Sequence, residues 1–164
     1  MITDIDNFPM NRTFFTENIK EISNDKWINL RDWKTHNEIS MCWQVATPKI
    51  WNQVFKINNL NDINNRLIEV FKSINYVDGH AKLGWCTDQE HLFIYVKEWN
   101  KKTNNYVFLK DIDTNYYRLD IDYISYYKKI EKFKIQNGIF GDFHCLKPIN
   151  NYYEIIEQMY NYLI

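Results

Sequence analysis

The chain has 164 residues, 45% of them hydrophobic and 25% charged, which suits one folded domain with its own core and excludes a disordered or fibrous protein. Charge is balanced, with 20 Lys+Arg against 21 Asp+Glu and a net of -1. A dedicated nucleic-acid binder is usually basic and a nucleic-acid mimic far more acidic, so global charge favours neither.

Aromatic residues make up 17% of the chain, more than a core of this size needs, so some are expected on the surface. Asn, Ile, Lys and Tyr are abundant, while Gly (4) and Pro (3) are scarce. That set follows AT-rich codons, so no single Asn, Lys or Tyr is taken as chosen for chemistry. Cys42, Cys86 and Cys145 are odd in number and lack a CxxC spacing, which is no disulfide framework. The start of the chain is acidic and broken by Pro9, unlike a signal peptide. No apolar run approaches the roughly 18 residues of a membrane span. A reducing, cytoplasmic location is the expectation. With no linker or repeat, one domain over residues 1–164 is expected.

In chain order, Asn11 to Thr35 reads as ragged helix. Ile39–Val45 alternates and predicts a half-buried strand. Thr47-Pro48 predicts a helix start, with Ile50, Trp51 and Val54 on its face. The clearest helix is Leu60 to Ile74, where Leu60, Ile63, Leu67, Phe71 and Ile74 form a stripe capped by Asn59 or Asn61. Residues 80–122 read as four antiparallel runs, Ala81–Cys86, Leu92–Trp99, Tyr106–Lys110 and Tyr117–Ile121, with Leu92–Val96 as the central strand. Tyr123, Tyr127, Ile130 and Phe133 suggest another helix. Gly138–Leu146 suggests a strand, and Tyr152, Ile155, Met159 and Leu163 a terminal helix. The expected class is α+β: an antiparallel β-meander of about four to six strands, packed against several amphipathic helices.

Several groupings bear on chemistry. If Thr87 to Glu90 form a hairpin turn, Cys86 and His91 face each other with Cβ atoms roughly 5 Å apart. An imidazole that close activates a thiol, and Asp88 or Glu90 would orient it. A buried Cys beside an exposed loop His weighs more. His80, Cys86, His91 and either His144 or Cys145 are metal-capable, but close-spaced ligand pairs are missing, so no metal site is assigned. Asp111, Asp113, Asn115 and Asp122 fit places in a calcium loop, yet Tyr116 stands where Gly is needed. Asp120 and Asp122 share a strand face without partner carboxylates. Lys128, Lys129, Lys132 and Lys134 beside Tyr126 and Tyr127 form the one basic cluster. The nucleotide-binding, serine-hydrolase and zinc-protease signatures are absent, no cofactor is expected, and no stretch resembles a known family at the level of a motif.

The reading that results is a non-enzymatic protein-binding or inhibitor protein. Its concrete forms are an immunity, antitoxin-like protein that neutralises a toxin by contact, or a phage anti-defence protein. Trp85, Trp99, Tyr116 and Tyr117 are the candidate anchors. The alternative is a small hydrolase or transferase using Cys86 and His91, and the third reading is a weak nucleic-acid-binding module. Partners are therefore expected to be proteins, with neither membrane nor nucleic acid favoured.

Overall fold

The computed structural model describes residues 7–31, 34–35, 38–78, 82–84, 86–120, 131–144 and 149–164. The elements in chain order are β1 Asn7–Pro9, α1 Arg12–Glu17, β2 Trp27–Asn29, β3 Lys34–Thr35, β4 Glu38–Ile39, β5 Gln44–Val45, α2 Pro48–Phe55, α3 Leu60–Ser73, α4 Thr87–Thr103, β6 Tyr106–Phe108, α5 Asp111–Thr114, β7 Arg118–Leu119, α6 Lys132–Gln136, β8 Asp142–His144, a 3-10 turn Ile149–Tyr152, and α7 Tyr153–Leu163. Helix and strand are mixed, in keeping with an α+β class. The chain divides into two compact units, Ser23–Leu109 and Thr3–Ile22 with Lys110–Ile164.

In the Ser23–Leu109 unit, β2 is the middle strand of three. It pairs antiparallel with β5 and parallel with β6, so that Ile28 lies between Val45 and Val107. Three helices accompany this sheet. Thr47 caps α2 by accepting from the Ile50 amide at 3.4 Å, and Pro48 opens the helix, as its missing N–H and fixed φ suit that place. Asn59 and Asp62 cap α3 reciprocally: Asn59 Oδ1 accepts from the Asp62 amide at 3.2 Å, and Asp62 Oδ2 accepts from the Asn59 amide at 3.1 Å. The core joins Trp27, Ile39, Ile50, Val54, Leu92, Tyr95, Val96 and Trp99.

Helix α4 overturns the meander. Its stretch Leu92–Val96 is apolar on successive residues, and so reads as a buried strand. Its buried residues are Leu92, Tyr95, Val96 and Trp99, which recur at the three- and four-residue spacing of a helix face. Asp88 and Glu90 in the first turn and Lys101 and Lys102 in the last suit the helix dipole, and Asn104 closes it at φ 54. Asn100–Asn104, which separates the second and third expected runs, is therefore the helix end and its cap. The remaining strands have two or three residues, too short for the expected meander.

Two further expectations change. The Ile39–Val45 run is broken between β4 and β5, where Trp43 takes φ 60, and Ile39, Ser40, Cys42, Trp43 and Gln44 are all buried. Burial on successive residues there reflects a turn folded into the core. Gln44 makes this tolerable: its carboxamide accepts from Trp27 Nε1 at 2.7 Å and donates to Asn29 Oδ1 at 2.9 Å and the Ser40 carbonyl at 2.6 Å. Among the described residues of the Asn11–Thr35 region, helix is confined to α1, and Trp27 and Leu30 are buried on and beside β2.

In the other unit, β8 is the middle strand, antiparallel to β1 and parallel to β7. Leu119, Ile135, Phe140, Phe143 and Met159 form its core, with α7 supplying Ile155, Ile156 and Tyr162 at the edge. Asp111–Thr114 is one helical turn and not a hairpin loop, closed by Asn115 at φ 53. The helix expected around Tyr123 to Phe133 falls largely outside the described residues, and α6 covers its end.

Candidate functional site

The candidate anchors separate. Trp99 packs in the core of its unit, and Tyr116 is buried in the core of the other. Trp85 lies outside the described residues. Tyr117 is 60% exposed.

Local backbone geometry explains the difference between Tyr116 and Tyr117. Asn115 turns the chain in the left-handed region, and Tyr116 and Tyr117 lead from it into β7. Successive side chains of extended backbone point oppositely. Tyr116 turns inward, its ring 5.2 Å from that of Phe14, and its hydroxyl donates to Asp142 Oδ1. A Cβ on Gly141 would meet the Tyr116 ring at 2.8 Å, so glycine is what lets β8 approach. Tyr117 then faces outward, and its carbonyl is held by the Gly141 amide at 2.8 Å. The tyrosine is thus presented from a fixed backbone.

Tyr117 stands on an open groove of about 630 Å³, lined also by Thr13, Glu17, Asn18, Asn115 and Ile139. Its floor includes Phe14. The Asn side chains there are partly used to hold the walls: Asn18 Nδ2 donates to the Phe14 carbonyl at 2.8 Å, and Asn11 Nδ2 donates to the Gly138 carbonyl at 2.7 Å. Ile112 on α5, five residues before Tyr117 and outside the groove lining, is 82% exposed. An aromatic anchor, exposed aliphatic residues and amide-rich walls suit a protein surface.

The Ser23–Leu109 unit holds a second candidate. A cleft of about 470 Å³ is walled by Ile63, Leu67 and Val70 of α3 and by Leu92 and Tyr95 of α4, with Met41, Phe55 and Ile57. Asp88 and His91 are also on its wall, while Cys86 is not. The hairpin that would oppose Cys86 and His91 is absent: Cys86 is the residue before α4, and His91 lies within it. Five residues along a helix amount to about 7.5 Å of rise and differ in direction by roughly 140°, so the two side chains diverge. His91 Nε2 instead meets Ser73 Oγ at 3.3 Å.

Helix α3 is tied down mainly by Arg66. Its Nε donates to the Phe55 carbonyl at 2.9 Å, at the end of α2, and its guanidinium lies 5.2 Å from the Tyr95 ring centre. Burial penalises the Arg66 charge, but Tyr95 and Glu69 outweigh it and hold its pKa above the ordinary value. No residue of α3 is buried.

Of the metal-capable set, His80 and Cys145 lie outside the described residues, as does Asp122. Among the described residues no three His, Cys, Asp or Glu side chains are grouped to hold an ion. His144 Nδ1 meets an Arg118 guanidinium nitrogen at 3.0 Å. In the basic cluster, Lys134 pairs with Glu131 at 2.5 Å on α6, and Lys128 and Lys129 are outside the described residues. No helix of the described residues is long and apolar enough to cross a membrane.

Sequence reading missed the buried Arg118–Asp142 pair, for which no motif exists. It also missed that the α3 stripe stays open, although Ile68 beside the stripe was a signal that the apolar face is unusually wide. No family model matches the chain, and neither curated proteins nor solved structures give a significant match.

Proposed function

We propose that the chain is a non-enzymatic protein-binding protein that grips its partner through the Tyr117 groove. Its concrete form is an inhibitor working in the cytoplasm: an immunity, antitoxin-like protein that blocks a toxin by contact, or a phage protein that blocks a host defence. The observation that carries the binding reading is Tyr117 itself, 60% exposed on a backbone pinned by Gly141. A large side chain of few rotamers, held ready, loses little freedom on binding. Affinity capture from the source cell, with the full chain as bait, tests the proposal. A stoichiometric protein partner is expected. Absence of any partner, together with turnover of a small substrate, would sink it.

The second reading, a small hydrolase, has one observation in its favour: His91 and Asp88 stand, with Arg66 and Thr87, on the wall of a largely apolar cleft. Against it, the candidate nucleophile Cys86 is not on that wall. Loss of turnover in His91→Ala, with the fold intact, would support this reading over the first.

A further inference from the structure

We propose that the open face of α3 and α4 is closed by a second copy of this chain, with the two α3 helices antiparallel about a two-fold axis at Leu67. This goes beyond the partner-binding reading, which uses the other unit.

The first ground is area. Leu60 (79%), Ile63 (39%), Leu67 (63%), Ile68 (51%) and Phe71 (82%) are exposed on one helix, and Tyr76, Val77 and Leu83 follow just past its end. An aromatic side chain carries about 150–250 Å² of surface, so these eight residues together expose on the order of 800 Å². Monomers rarely expose a contiguous apolar patch above a few hundred Å². The per-partner area of a stable interface is about 800 Å².

The second ground is self-complementarity. A two-fold interface requires residue i to meet j while j meets i. With Leu67 on the axis, Leu60 faces Ile74 of the other copy, and Ile63 faces Phe71. A parallel arrangement would align the two helix dipoles unfavourably. The cleft beside Ile63 is the hole, and Phe71 of the other copy is the knob that fills it.

Light scattering behind size exclusion, on the full chain over a wide concentration range, tests this. The expected mass is twice 20.1 kDa. Phe71→Glu should give a monomer with an unchanged far-UV spectrum, because Phe71 is not packed within its own chain. Leu60→Glu, a change at a 79% exposed position at the other end of the stripe, should also give a monomer. Tyr117→Ala should leave the mass unaltered. A monomer at every concentration overturns the proposal, and so does a dimer that survives both Phe71→Glu and Leu60→Glu. Either result leaves the Tyr117 reading standing, since partner capture is read separately.

Discussion

Arg118 and Asp142 stand opposite each other in register across the parallel pair of β7 and β8, joined by two hydrogen bonds of 3.1 and 2.8 Å to the two carboxylate oxygens. The Asp142 side chain is fully buried and that of Arg118 is 11% exposed. Tyr116 donates to the same carboxylate and accepts from Arg118 Nε at 3.2 Å. The pair thereby fixes the inward turn of Tyr116, and with it the outward turn of Tyr117. Removing one partner leaves a buried charge unmatched. Asp142→Ala should destabilise the chain by about 3–5 kcal/mol, read as a lower denaturant midpoint. A cost below about 1 kcal/mol would place the pair among ordinary exposed ion pairs.

Tyr106 makes a pH-dependent contribution in the other unit. Burial raises its pKa above the ordinary 10.0, and a hydrogen bond from Asn29 only partly opposes this. The folded chain therefore holds the phenol proton more tightly than the unfolded chain. The resulting stability is fully present below about pH 10 and is lost as pH rises through the folded pKa. Tyr106→Phe, which keeps the ring, should flatten the alkaline fall of the melting temperature. An unchanged alkaline profile would assign that fall to other groups.

Arg66 is the main tether of α3, and its removal should loosen that helix selectively. Arg66→Ala forfeits the bond to the Phe55 carbonyl and the packing on Tyr95. Bonds to charged groups contribute about 1.5–3 kcal/mol, so amide exchange in α3 should speed by roughly 10- to 100-fold. Exchange in α4 should hardly change. Lys at this position should rescue little, because an ammonium cannot bond the carbonyl and stack on the ring together. Equal acceleration in α3 and α4 would mean that the unit opens as one.

Where local chemistry and period agreed, the sequence was enough. Thr47-Pro48 and Asn59 marked the starts of α2 and α3, and the terminal stripe marked α7. Helix α4 was misread because Phe93, Ile94, Tyr95 and Val96 favour strands by type, while its burial follows the helical period. Strands of two or three residues carry too little period to be seen, and their pairing is set by distant partners such as Trp27 with Tyr106. Of the site, Tyr117 was nameable as an anchor from composition. That Tyr116 points the other way depends on Asn115, Gly141 and Asp142 together, which no short window of sequence contains.

The affinity of the captured partner for wild type and for Tyr117→Ala tests whether Tyr117 is the anchor of the proposed contact. The side chain is exposed, so the fold should be unaffected. The account predicts a loss of about 2 kcal/mol or more, roughly 30-fold in Kd, with an unchanged melting temperature. A partner that binds Tyr117→Ala as tightly as wild type would contradict it.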